Sequence, residues 1–209
     1  MKETEEGVLI KNIVFDVGGV LLEYPPVDYY GRYVDSEEKA RELAEKTFFS
    51  DDWEKLDRGL LEREEIIRLF CDKYPDDSET IRKAIGSWSK MMRPNEENVE
   101  VARELDEAGY PLYILSNYPS QGFSEVKEKF DFFGLFRDEV ISGEATYIKP
   151  EDEIYQIMLQ KFRLEPEHTL FIDDGKENIE AARESGIYGI HCAEDIDLRQ
   201  ELERLNVSV

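Results

Sequence analysis

"VLIKNIVFDVGGVLLEY" spans residues 8–24 and sets a lone carboxylate, Asp16, between an apolar run and two glycines, Gly18 and Gly19. The segment "VLIKNIVFDV" reads as a buried strand, because near-continuous apolar character bounded by a turn signal fits a strand inside a sheet. A carboxylate at the end of such a strand, beside a turn that glycine keeps flexible, marks a candidate site.

Outward from this segment the chain changes character twice. Residues from about 27 to 92 show helical spacing: "SEEKARELAEKTFF" opens with Ser36 as N-cap and Glu residues in its first turn, and "REEIIRLFCDKY" and "SETIRKAIGSWSKMM" continue the pattern across a "PDD" break. From Arg93 onward helices and strands alternate. Helix "NEENVEVARELDEAG" closes at Gly109, and strand "YPLYILSN", helix "SEVKEKF", strand "DEVISG", helix "EDEIYQIMLQKF", strand "HTLFIDD", helix "KENIEAARESG" and strand "IYGIHC" follow. Such alternation predicts an α/β fold with a doubly wound parallel sheet, its right-handed crossovers placing helices on both faces. The helical stretch then interrupts the crossover after strand one. This gives a core of residues 1–22 and 93–209 and a small all-helical domain of residues 23–92.

Composition narrows the function. At 209 residues with 41% hydrophobic content the chain can bury a core. Asp and Glu outnumber Lys and Arg 49 to 26, a formal charge of −23, which repels nucleic-acid backbones and anionic membranes. The same field repels a phosphorylated substrate unless cations concentrate in the site, so anion chemistry here calls for a bound metal. Cys71 and Cys192 are isolated, against zinc and against a disulfide framework. No apolar run approaches the roughly 18 residues of a membrane span, and "MKETEEGVLI" is acidic rather than signal-like. The expectation is a cytoplasmic protein, a monomer or weak dimer, with no nucleic-acid or membrane partner.

In open parallel sheets, ligands bind at the carboxyl ends of the strands. Asp16 follows "IVF", Ser116 and Asn117 follow "LYIL", Asp173 and Asp174 follow "LFI", and Lys149 with Pro150 lies after "DEVIS". Singly these are turn and cap residues. Together they place three carboxylates at neighbouring strand ends, where mutual repulsion raises their pKa values unless cations compensate. Lys149 supplies one positive charge, and an all-oxygen donor set suits Mg2+ for the rest.

The ordered set "FDVGGVL", "LSN", "KP" and "FIDD" resembles the haloacid dehalogenase superfamily over residues 8–192, with the helical insert matching its cap domain. The flavour is similar to phosphatase-type members reading Asp-x-Gly-Asn/Gly-Val at the first motif, including the glucose-1-phosphate phosphatase-like group. The resemblance implies a Rossmann-like core and a magnesium-dependent phosphatase of a small phosphorylated metabolite, with sugar phosphates such as hexose 1-phosphates as candidates. It implies Asp16 as nucleophile forming an aspartyl-phosphate, Ser116 and Asn117 on the substrate phosphoryl group, and Lys149 neutralising that group. Asp16, Asp173, Asp174 and the Gly18 carbonyl would hold the metal. Arg58, at the Arg-Gly turn of the insert, would reach over the site to substrate, or else end its helix on the solvated surface.

One position departs from the family pattern. Phosphatases of this superfamily usually carry a second Asp two residues after the nucleophile, and here Gly18 stands there. Loss of a general acid typically costs about 10²–10⁴-fold in rate, less for a good leaving group. The departure keeps open a non-catalytic regulator that binds a phosphorylated ligand. A metal-independent 2-haloacid dehalogenase is the third reading, and the Asp173–Asp174 pair counts against it. Trp53 and Trp88 stack on substrate or sit in the core. Tyr24, Tyr29, Tyr30 and Tyr33 line a pocket mouth or pin the insert to the core. Asn178 fixes the loop after "FIDD" or caps its helix, and neither His168 nor His191 has an evident partner.

Overall fold

The computed structural model describes residues 9–193 and 196–208. Residues 1–8, including Val8 of the expected first strand and the start of the expected core, lie outside the described residues.

Five strands form one parallel sheet: β1 (Asn12–Phe15), β4 (Leu112–Ser116), β5 (Asp138–Ile141), β6 (Thr169–Asp173) and β7 (Tyr188–His191), in the order β5-β4-β1-β6-β7. Two further strands, β2 (Leu22–Glu23) and β3 (Arg93–Pro94), pair antiparallel where the chain leaves the sheet and returns to it. Between them lie helices α1 (Pro26–Tyr30), α2 (Glu37–Lys46), α3 (Asp51–Asp57), α4 (Arg63–Lys73) and α5 (Ser78–Ile85). After β3 come α6 (Glu96–Glu107), α7 (Ser120–Lys129), α8 (Ser142–Ala145), α9 (Asp152–Phe162), α10 (Lys176–Glu184) and α11 (Leu198–Arg204). The doubly wound α/β expectation is what the chain builds.

The period of two along a strand sorts the core into two layers. Val14, Leu115 and Phe171 face one side and pack with Ile154, Tyr155 and Met158 of α9 and Ile179 of α10. Ile13, Phe15, Ile114 and Ile172 face the other side, with Leu105 of α6, Val126 of α7 and Leu202 of α11. The insert joins this second layer: Leu43, Ile66 and Ile81 belong to the same apolar cluster. The insert helices therefore share a core with the sheet.

Local signals explain the helix ends. Ser36 Oγ accepts from Lys39 N at 3.1 Å, and Asn95 Oδ1 accepts from Asn98 N at 3.2 Å, each satisfying an otherwise orphaned helix donor. Gly109, at φ +89°, reverses the chain after α6 as the sequence predicts. Three boundaries differ from expectation. The first strand is confined to Asn12–Phe15, α7 begins at Ser120 directly after Pro119, and the helix expected through Met92 stops at Ile85. The last difference is a packing effect. The chain turns at Gly86 and seats the buried Trp88 ring on Gly122, where a Cβ would lie 2.1 Å from the ring.

Phe171 is fully buried in the layer beneath α9 and α10. Phe171→Ala is expected to lower unfolding stability by about 3–5 kcal/mol through lost transfer energy and the cavity left behind, read as a lower urea midpoint.

Candidate active site

Order β5-β4-β1-β6-β7 sends the crossovers from β1 and from β6 to opposite faces, opening a crevice at their carboxyl ends. Asp16 follows β1 there, Asp173 ends β6 with Asp174 beside it, and Ser116 ends β4. Lys149 reaches them from the loop between α8 and α9.

The centre is an ion triad. Lys149 Nζ lies 2.8 Å from Asp16 Oδ1, 2.6 Å from Asp173 Oδ2 and 3.2 Å from the Leu115 carbonyl oxygen. Lys149 is 3% exposed and Asp173 is fully buried. Burial works against the Lys149 charge, yet Asp16 and Asp173 outweigh it and hold its pKa above the ordinary value. Burial likewise pushes Asp16 up to about 7, opposed by Lys149 and reinforced by Asp173 and Asp174. One ammonium facing three carboxylates leaves an uncompensated negative charge.

That surplus matches a cation site. Carboxylate oxygens of Asp16, Asp173 and Asp174 lie within 4.8 Å of one another, an all-oxygen set that suits magnesium. The three are not equivalent. Asp173 accepts from Lys149, from Gly175 N at 2.7 Å and from Asn178 Nδ2 at 2.9 Å. Asp174 is open to the cavity. The chain thus saturates Asp173 and leaves Asp16 and Asp174 as the carboxylates with free capacity for an ion.

The two glycines divide their work. Gly19 has φ +74°, and a Cβ on it would fall 2.1 Å from Asp174 Oδ2. At Gly18 a Cβ would meet nothing within 4 Å. Gly19 is therefore required by backbone conformation and by the carboxylate it faces, whereas position 18 simply leaves open space where the family's usual second Asp would stand.

The remaining expected residues separate into groups. Ser116 lines the cavity, 1% exposed. Asn117, expected on the phosphoryl group, lines it too, but its amide is engaged at both ends: Nδ2 donates to the Lys149 carbonyl at 2.9 Å and Oδ1 accepts from Lys149 N at 2.8 Å. It holds the backbone that carries Lys149. Arg58 is not brought to the cavity lining; it forms a bidentate pair with Glu151 at 2.9 and 2.8 Å and a third bond to Glu54. Asn178 fixes Asp173, while His168 and His191 contact the Leu9 and Asp174 carbonyls. Of the four tyrosines Tyr24 lines the cavity, and the hydroxyls of Tyr29, Tyr30 and Tyr33 bond within the insert.

Above the carboxylates opens a cavity of about 1010 Å³ between insert and sheet. Trp53 and Trp88 form part of its wall while staying 5% and 2% exposed, so they are core and lining at once. The sequence reading missed Ser142. Its fully buried hydroxyl donates to the Asp57 carbonyl at 2.6 Å and accepts from Tyr118 N at 2.9 Å, tying the end of α3 to the segment after β4. Asp57 and Tyr118 both line the cavity. Burial pushes the Asp57 carboxyl up to about 8, the Glu54 charge adding and the Trp53 indole opposing. The Tyr118 hydroxyl is buried with no hydrogen-bond partner among the described residues, an arrangement that costs about 1–3 kcal/mol. No signal in the sequence marks either residue, because their proximity exists only through Ser142.

Comparison with known proteins places the chain among related hydrolases and folds. A model of the haloacid dehalogenase-like hydrolases matches residues 10–186. A sesquiterpene phosphatase of Aspergillus oryzae, astK, is 26% identical over 195 residues, covering 93% of this chain and 96% of that protein. A D-ribitol-5-phosphate phosphatase of Bacteroides thetaiotaomicron is 27% identical over 221 residues, 93% and 97% of the two chains. A crystal structure of an enzyme from B. thetaiotaomicron, in complex with magnesium and inorganic phosphate, superposes with a TM-score of 0.73 at 23% identity, covering 92% of this chain and 98% of that one.

Gly18→Ala is expected to leave thermal stability nearly unchanged, whereas Gly19→Ala lowers it by about 1–3 kcal/mol, since only the second demands a positive φ and removes room for Asp174. Thermal unfolding of both variants checks the contrast. A second expectation concerns pH. An unfolded Asp titrates near 3.9, so the folded state keeps a proton at Asp57 that the unfolded chain releases, and this site's contribution falls as pH rises from about 4 to about 8. Asp57→Asn removes that fall: between pH 5 and pH 8 the wild type should lose more stability in urea titrations than the variant.

Proposed function

The chain belongs to the haloacid dehalogenase-like hydrolase family, and from that membership we propose that it is a magnesium-dependent phosphatase of a small phosphorylated metabolite. The observation that carries the reading is the triad of Lys149 with Asp16 and Asp173, set at the strand ends beside Asp174 and Ser116. The relatives named as phosphatases support it.

Asp16 and Asp174, with the Gly18 carbonyl, would hold magnesium, and Asp173 would orient Lys149 beside it. When bound, the ion supplies positive charge to the phosphoryl oxygens and offsets the carboxylate surplus. Lys149 favours the ionised form of Asp16 against the effect of burial and would face the same phosphoryl group. Ser116 donates a hydrogen bond to a phosphoryl oxygen.

Asp16 attacks phosphorus in line, forming an O–P bond as the bond to the ester oxygen breaks. The departing oxygen takes a proton and leaves as an alcohol. Water then attacks phosphorus, the Asp16–phosphorus bond breaks, and inorganic phosphate departs with the carboxylate restored. Little covalent chemistry falls to the protein, so positioning and electrostatics carry the acceleration. With no carboxyl at position 18, the alcohol's proton comes from another source, and esters with good leaving groups, glycosyl 1-phosphates among them, should react fastest.

The test is phosphate release from p-nitrophenyl phosphate, acetyl phosphate and glucose 1-phosphate. Release is expected with magnesium, lost on chelation with EDTA and restored by added magnesium. Asp16→Asn should reduce it by at least about 10⁴-fold, as removal of a nucleophile does. A wild type that binds glucose 1-phosphate yet releases no phosphate from any ester would establish the non-catalytic reading instead.

A further inference from the structure

Resting on the phosphatase reading, we propose that the part of the cavity under the insert is a leaving-group subsite for an uncharged, hydroxyl-bearing alcohol, a polyol or sugar, with Tyr118 and Asp57 as its polar contacts.

Three independent observations converge on it. The first is charge. Among the described residues lining the cavity there is no Lys, Arg or His, and Glu23 and Glu97 stand on its wall. Lys149 is the nearest cation at the floor, and it is buried between Asp16 and Asp173. A substrate with a second phosphate or a carboxylate would therefore meet negative charge and no partner for its own.

The second is the wall itself. Rings run in contact from insert to sheet: Tyr24 to Phe48 at 6.3 Å between centroids, Phe48 to Trp53 at 4.6 Å, Trp53 to Trp88 at 5.8 Å and Trp88 to Tyr118 at 5.3 Å. All five residues line the cavity. Aromatic faces suit the C–H face of a polyol or sugar while leaving its hydroxyls to polar groups.

The third is an unpartnered hydroxyl on the cavity wall, with the Asp57 carboxyl lining the same cavity. Tyr118 is 4% exposed and its hydroxyl lacks a partner among the described residues. The bridge through Ser142 ties the Asp57 carbonyl to the Tyr118 amide, and the bidentate Arg58–Glu151 pair joins the next residue to the loop before α9. Gly59, at φ +68°, packs so closely on the Gly143 carbonyl that a Cβ there would lie 2.3 Å from it. Residues 57–59 are thus joined to the sheet side of the cavity by several contacts, with both groups lining it in the absence of a ligand. Burial pushes the Asp57 carboxyl up to about 8, and in its protonated form it can donate as well as accept without adding charge. Two such groups match a hydroxyl, which both donates and accepts.

The test compares kcat/KM for D-ribitol 5-phosphate, glucose 1-phosphate, phosphoglycolate and p-nitrophenyl phosphate in the wild type, Tyr118→Phe and Asp57→Leu. The wild type is expected to favour the two hydroxyl-rich esters over phosphoglycolate by at least about tenfold. Tyr118→Phe, which keeps the ring, should lower the ratio of ribitol 5-phosphate to p-nitrophenyl phosphate by about tenfold, the usual worth of one discriminating hydrogen bond. Asp57→Leu, which neither donates nor accepts, should move the same ratio in the same direction. Preference for phosphoglycolate, or equal losses on all four esters, overturns the assignment. Should the wild type release phosphate from none of them, the phosphatase reading itself has failed. The subsite is then read by calorimetry as the affinity for ribitol 5-phosphate relative to inorganic phosphate: a tenfold fall of that ratio in Tyr118→Phe upholds it, and no change refutes it.

Discussion

Everything in this active centre depends on one ammonium group. Lys149 Nζ sits between Asp16 and Asp173, out of water, and removal of either kind of partner would leave an uncompensated buried charge. Its position is enforced from several directions. Asn117 grips the backbone of Lys149 on both sides of the peptide, the Leu115 carbonyl accepts from its Nζ, and Asp173 is itself anchored by Gly175 and Asn178. The parallel sheet contributes the rest, bringing strand ends that are far apart in sequence within bonding distance of one side chain.

The same triad explains why the site is tuned for a cation and an anion together. Lys149 neutralises part of the carboxylate charge, while burial, with the remaining carboxylate repulsion, pushes Asp16 and Asp174 toward protonation. A divalent ion would relieve that repulsion and make the crevice hospitable to a phosphoryl group, in a protein whose overall charge of −23 would otherwise repel one. Away from this point the cavity wall carries no positive charge among the described residues, so the attraction for anions is confined to its floor.

Cap and sheet meet at a second junction, built on Ser142 rather than on charge alone. Its hydroxyl joins the Asp57 carbonyl to the Tyr118 amide, and Arg58 and Gly59 continue the contact with Glu151 and Gly143. Arg58 therefore serves the attachment of the insert, and its guanidinium is occupied by two carboxylates. The shared apolar layer beneath, in which Leu43 and Ile66 of the insert join Ile13 and Phe15 of the sheet, makes this junction part of one core.

By itself the sequence determined the alternating α/β order and the doubly wound parallel sheet. These follow from local rules: apolar runs of strand length, caps such as Ser36 and Asn95, and the glycine stop at Gly109 each act over a few neighbouring residues. Asp16, Ser116, Asp173 and Asp174 stood out in the sequence for the same reason, since they follow apolar runs, whereas Lys149 was marked by the Lys-Pro pair in the loop that the structure places between α8 and α9. Only the tertiary structure decided which of them have free capacity. Asp173 is saturated by Gly175, Asn178 and Lys149; Asn117 turns to Lys149; Gly19 rather than Gly18 is sterically required. The meeting of Asp57 with Tyr118 through Ser142 has no local signature at all, because hydrogen bonds between residues 24 and 85 positions apart are chosen by packing, which a sequence encodes only through the whole fold.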